Sequence, residues 1–226
     1  MAAISAGNNI TGNIVDVDRV AVMCHRWGTK AVFDYAAVAP YIPINVGGIT
    51  PGLVDHFGFQ PIPQADRGLA YKDAVFFSPH KLIGGPQSSG ILLAKKAVLL
   101  SKKPARAGGG IVFFVNEISH EYVANVEELE EAGTPGVIQD IRAGLAFQLK
   151  EALEGDNFVL YREHEIHDEA MKRFKALGDK IHLIGNNAFP KVCIYSFLIR
   201  AKLPDSTWKF LNPAFVVSLM NDLFGI

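Results

Sequence analysis

The stretch Asp73-Ala74-Val75-Phe76-Phe77-Ser78-Pro79-His80-Lys81, followed at once by Leu82-Ile83-Gly84-Gly85-Pro86, decides how the rest of the chain is read. A short apolar run, Asp73–Phe77, closes on a hydroxyl and passes into a histidine, a lysine and a glycine–proline turn. An apolar run of this length bounded by turn residues predicts a strand. A lysine set just beyond a strand, among small hydrogen-bonding groups, is a position from which an amine can act as a nucleophile.

Working outward, short β-like runs alternate with helical patterns, which predicts an α/β architecture. Ala2–Ala6 reads as a strand ending at Gly7-Asn8-Asn9. Asp16 is placed to cap a helix over Val17–Trp27, with Val17, Val20, Ala21 and Cys24 on one face and Gly28 stopping it. Lys30–Phe33 is a strand that ends on Asp34. Residues 43–70 carry Pro43, Pro51, Pro61 and Pro63 among five glycines, the pattern of a long irregular loop. Gly90–Ala94 is a further strand, and Ile111–Val115 another apolar run behind Gly108-Gly109-Gly110. Beyond Gly133-Thr134-Pro135, the apolar positions Ile138, Ile141, Leu145, Leu149 and Leu153 fall at helical spacing. A helix over Phe158–Leu177, strands over Lys180–Ile184 and Val192–Ile199, and an apolar helix over Phe215–Leu223 complete the expectation.

Four segments, in order, carry a family resemblance: Asn9-Ile10-Thr11-Gly12, the strand-terminal Asp34 before Tyr35-Ala36-Ala37, Ser78-Pro79-His80-Lys81 with its Gly-Pro turn, and Gly133-Thr134-Pro135. Together they resemble the class V aminotransferases and cysteine desulfurases, enzymes that use pyridoxal 5'-phosphate (PLP). The resemblance implies the type I fold of PLP-dependent transferases. Residues 1–135 would be part of a large PLP-binding domain with a mixed sheet. Residues 136–226 would hold the connecting helix and part of a small C-terminal domain. It also implies roles. Lys81 would be the Schiff-base lysine and catalytic group, and Asp34 the partner of the pyridine nitrogen. Ser78 and His80 would bind phosphate, Asn9 would lie by the ring hydroxyl, and Thr134 would reach the cofactor of a neighbouring subunit in a homodimer. The substrate would be a small amino acid, with carbon–sulfur lyase or amine-transfer chemistry.

Ala37 stands where desulfurases of this family commonly place a glutamine, and the loop at 43–70 lengthens the interval from Asp34 to Lys81. The family's N-terminal phosphate-cradling turn and its C-terminal arginine and cysteine loop have no counterpart in these 226 residues. The chain is therefore expected to be a fragment, and the rival expectation is a truncated, catalytically inactive member that acts as a binding partner or is a non-functional fragment.

Several readings are bland. Thr134 also suits a helix cap ahead of Pro135. His164 and His167, amid Glu163, Glu165 and Asp168, read as a charged solvated helix face and not as metal ligands. Cys24 and Cys193 read as core residues, and two cysteines make neither a disulfide framework nor a metal cluster. A formal net charge of −1 with interspersed signs argues against nucleic-acid binding. No apolar run approaches the ~20 residues that a membrane span needs, and the absence of a signal-like N-terminus points to a cytoplasmic protein.

Overall fold

A computed structural model describes residues 1–153 and 158–226. The central element is a four-stranded mixed sheet in the order β1 (Ala2–Ser5), β2 (Ala31–Asp34), β3 (Ala74–Phe77), β4 (Ile91–Ala94). The first three strands run parallel and β4 runs antiparallel to β3. Helix α1 (Val17–Arg26) connects β1 to β2. Its cap is the one expected, since the Asp16 carboxylate accepts from the Arg19 amide at 3.1 Å. Val17 and Ala21 of α1 are buried, with Val20 and Cys24 packed beside them.

Side chains alternate across a sheet, and only one face of this one is thickly covered. Ile4, Phe33, Val75, Phe77 and Ile91 belong to one core cluster with Val17, Val38, Ile42, Leu160 and Val192. On the other face, Phe76 and its register partner Leu92 remain exposed. Parallel strands are usually covered on both faces.

The loop at 43–70 is less irregular than expected. It contains the short helix α2 (Leu53–Phe57) between two left-handed glycines, Gly52 and Gly58, and a 3-10 turn at Gln64–Leu69. A buried ion pair ties the loop down. Lys72 has no solvent exposure, and its ammonium bonds Asp18, the Gly48 carbonyl at 2.6 Å and the Thr50 hydroxyl at 3.1 Å. The three donors of the ammonium are thereby used. Burial lowers the Lys72 pKa, and the Asp18 charge offsets that only in part.

Residues 112–115, expected as an apolar run, form strand β5 (Val112–Val115). With β6 (His120–Tyr122) it makes an exposed hairpin, not a core strand. The short helix α3 (Val126–Glu130) buries Leu129 beneath its glutamates. Helix α4 (Val137–Leu153) covers the predicted span but turns its apolar stripe outward: Ile138, Ile141, Leu145 and Leu149 are 64, 55, 59 and 39% exposed. The side facing the protein carries Ala143, Ala146 and Phe147, whose ring meets Phe77 edge-on at 5.5 Å. Periodicity identified the helix but not the face that packs. Thr134 does not cap it. The first helical bond runs from the Asp140 amide to the Gly136 carbonyl.

Helix α5 (Phe158–Ala176) sends Leu160 into the core. A three-stranded antiparallel sheet follows, with β7 (Ile181–Leu183), β8 (Phe197–Lys202) and β9 (Trp208–Phe210), and then α6 (Pro213–Phe224). The strand expected at Val192–Ile199 begins only at Phe197. Val192 is instead drawn to the loop after β1, donating to the Gly12 carbonyl at 3.0 Å. Gly12 has φ +73°, and a Cβ there would lie 2.7 Å from the carbonyls of Val192 and Ile194. Only glycine fits this crossing. No described helix is long and apolar enough to cross a membrane.

Candidate active site

Because β1, β2 and β3 are parallel, their carboxyl ends share one edge, where α/β sheets bind ligands. Ser5, Asp34 and Phe76 occupy matching register positions there. Asn9 follows β1, Asp34 closes β2, and Ser78, His80 and Lys81 follow β3, so five of the six expected residues leave the sheet at the same end.

Local chemistry sorts structural from available groups. The Asn8 side chain accepts from the Ile10 and Thr11 amides at 2.8 and 2.9 Å, building the turn. Its neighbour Asn9 is exposed, with no side-chain hydrogen bond among the described residues. Asp34 is half-buried, and Oδ1 accepts from the Ala36 amide at 2.7 Å. This Asx turn fixes the carboxylate while Oδ2 keeps its accepting capacity. The segment Pro79–Lys81 forms a 3-10 turn on a buried Pro79, with the Lys81 amide donating to the Ser78 carbonyl at 3.0 Å. The Lys81 ammonium, the His80 ring and the Ser78 hydroxyl have no hydrogen-bond or ion-pair partner among the described residues.

The turn that follows is closely packed. A Cβ at Gly85 would lie 1.9 Å from the Pro79 carbonyl oxygen. Arg142 of α4 holds the far side, donating to the Pro86 carbonyl at 2.8 Å and the Gln87 side chain at 3.1 Å. Nothing in the sequence singles out Arg142; its role depends on a contact between residues 55 and 56 positions apart.

Lys81 lines a cavity of about 310 Å³ with Tyr41, Leu82, Ile83 and Arg162, a volume at the lower end of small-ligand sites, roughly 300–1,000 Å³. Burial, with Glu163 and Cys193 nearby, pushes the Tyr41 phenol upward. Asp34, Asn9, Ser78, His80 and Thr134 do not line that cavity. Thr134 follows no strand of this sheet and lies in an exposed segment whose Gly133 amide donates to the Gly109 carbonyl at 2.9 Å. The described residues include no group of three His, Cys, Asp or Glu placed to hold a metal. His167 is half-buried and its Nδ1 lies 2.8 Å from the Tyr195 hydroxyl, so it is not on the fully solvated face expected for it. Cys193 donates to the Glu163 carbonyl at 3.2 Å, and burial pushes its thiol up to about 12, far from a nucleophile's range.

The donor set fits PLP. A fixed carboxylate with a spare oxygen, an unpartnered amine, and an unpartnered hydroxyl and imidazole are what its ring nitrogen, aldehyde and phosphate require.

The fold these elements define is that of the type I PLP-dependent transferases. A cysteine desulfurase from Thermococcus onnurineus superposes over 97% of this chain and 47% of its own, with a TM-score of 0.65 at 20% identity. An Escherichia coli cysteine desulfurase gives 0.64 at 21% identity over 97% and 46%. The chain belongs to the aminotransferase class-V family, whose profile matches residues 67–217. It is 29% identical to a probable cysteine desulfurase of Halalkalibacterium halodurans over 180 residues, 78% of this chain and 38% of that protein. It is 24% identical to a probable cysteine desulfurase of Mycobacterium leprae over 94% of this chain and 30% of that protein. The chain thus spans well under half the length of these curated relatives.

Proposed function

We propose that the chain supplies the lysine-bearing part of a PLP-dependent active site acting on a small amino acid, with Lys81 as the amine that bonds the cofactor's aldehyde. The observation that carries this reading is the contrast at the exit of β3. A lysine whose ammonium has no partner among the described residues follows a strand whose parallel neighbour ends on a carboxylate with one oxygen unbonded there. When bound, PLP supplies an electron sink for the bond that breaks at the substrate α-carbon.

The chain's residues have separable tasks. Asp34, held by the Ala36 amide, accepts a hydrogen bond from the protonated ring nitrogen and keeps that proton in place. Ser78 and His80 donate to phosphate oxygens, and Asn9 donates beside the ring hydroxyl. Lys81, on its flexible four-carbon stem, turns from its present cavity toward Asp34. Once substrate displaces its amine, it takes the α-proton as general base. Thr134 serves a second subunit's cofactor in a homodimer. Cytoplasmic residence is part of the same proposal, as is the division into 1–135 and 136–226.

Titrating the chain with PLP tests this. A visible absorbance band is expected to grow and saturate in the wild type and to be missing in Lys81→Ala. A band that persists unchanged in that variant rejects the assignment. A second reading, a catalytically silent binding partner, is favoured by the apolar surface at Ile138, Ile141, Leu145, Phe76 and Leu92. A wild-type chain that folds yet gives no band supports it.

A further inference from the structure

Beside the Lys81 cavity, with Glu163 lining both, a larger one of about 530 Å³ lies between α2, α5 and the segment leading into β8. Lys191 lines it and is only 7% exposed. A lysine this buried normally has a carboxylate partner. Lys191 has none among the described residues: its ammonium meets the neutral Asn187 side-chain oxygen at 3.3 Å and stands 4.8 Å over the Tyr195 ring. Removing an uncompensated charge from water is costly, and burial accordingly lowers the Lys191 pKa, with the Cys193 thiol opposing.

The facing wall is α5, where Glu163, His164, His167 and Asp168 share one side. Asp168 is exposed and only loosely paired with His164, at 3.7 Å. Glu163 uses Oε2 to accept from the Cys193 amide at 2.8 Å. His56 on α2 and Tyr195 are the other titratable groups, and burial lowers His167, with Lys191 adding to that effect against Asp168. Phe57, Phe59 and Phe189 supply the apolar part.

A buried cation without a counter-ion calls for an anionic ligand group. Two carboxylates that α5 adds to the lining, Glu163 and Asp168, disfavour a polyanion and call for a cationic one. We propose that this cavity, which adjoins the Lys81 cavity at Glu163, is a second binding site, for a small zwitterion of the α-amino-acid class. Its carboxylate pairs with Lys191 and its ammonium with Asp168 and Glu163, and an apolar side chain lies along the phenylalanines. No covalent step is involved.

Three ligands of nearly one shape isolate the charges: L-phenylalanine, 3-phenylpropionate, which lacks the amine, and 2-phenylethylamine, which lacks the carboxylate. Titrations followed by NMR of the histidine ring protons, without PLP, report on His164 and His167 directly. L-phenylalanine is expected to bind at least ~10-fold tighter than either single-charge analogue, one decade of affinity for the added pair. Lys191→Met is expected to abolish the preference over the amine. Asp168→Asn, at an exposed position, is expected to weaken L-phenylalanine toward the level of 3-phenylpropionate, with Glu163 keeping part of the ammonium contact. Lys81→Ala is expected to change none of these affinities, so the proposal stands or fails separately from the catalytic assignment. Equal affinities for the three ligands, tighter binding of inorganic phosphate than of L-phenylalanine, or no shift at either histidine overturns it.

Discussion

Two lysines flank the same strand and have opposite fates. Lys72, two residues before β3, is sealed from solvent with every donor engaged. Lys81, four residues after β3, sits in an exposed turn with no partner among the described residues. Their neighbours follow suit. Before the strand, the Asp73 carboxylate takes bonds from His25 and the Ala31 amide, both at 2.8 Å, while His25 stacks on Tyr71 at 4.0 Å. After it, the Ser78 and His80 side chains have no hydrogen-bond partner among the described residues. The entrance to β3 invests its polar groups in stability, and the exit leaves them available for a ligand. Charged residues near a strand therefore announce function only when their hydrogen-bonding capacity is unspent.

The largest effect that can break this contrast lies at the entrance. Asp18→Ala leaves the Lys72 ammonium buried without its counter-ion, and the expected loss is about 3–5 kcal/mol, read as a lower midpoint in urea unfolding. A loss within experimental scatter would show that the pair does not anchor the loop. Next comes Asp73→Asn. Burial works to raise the Asp73 carboxyl, but the bonds from His25 and Ala31, with the His25 and Lys95 charges, outweigh it and hold the group below its usual value. A carboxylate depressed by folding adds stability above its ordinary pKa of about 4 and loses it as pH falls through the lower folded value. Wild-type stability is therefore expected to decline at acid pH more steeply than that of Asp73→Asn, and the variant to be about 1.5–3 kcal/mol weaker at neutral pH. Parallel pH profiles would contradict that account.

Smaller again are changes on the outward stripe of α4. Ile141→Lys and Leu145→Lys are expected to alter stability by no more than about 0.5 kcal/mol, because those side chains already face water. Ala143→Lys, at a buried position on the same helix, should lower the urea midpoint well beyond that range. At the exit, Lys81→Ala is expected to leave the unfolding midpoint where it was.

The sequence made one flank far more readable than the other. Ser78-Pro79-His80-Lys81 is contiguous, so a local pattern shows both the strand end and the groups beyond it. The Asp16 cap and the β2 terminus at Asp34 were legible for the same reason. The Lys72–Asp18 pair spans 54 positions and His25–Asp73 spans 48, and no local rule reaches so far. Strands β6 and β9, three residues each, are too short for alternation to show. The apolar run at Val192 looked like strand, but its backbone is committed to the Gly12 crossing. The helical spacing of Ile138, Ile141, Leu145 and Leu149 fixed the element and left open which side packs. Nothing local in the sequence marks Lys191, since only the folded chain shows it buried without a carboxylate partner among the described residues.

The central claim is that the amine at position 81, and not the one at 72 or 191, takes the cofactor's aldehyde. Incubation with PLP, reduction with borohydride and peptide mapping by mass spectrometry tests it directly. The account predicts a pyridoxyl phosphate mass on the peptide containing Lys81, depleted when Asp34 is replaced by alanine. A label distributed over surface lysines, or fixed on another lysine with Lys81 unmodified, would contradict it.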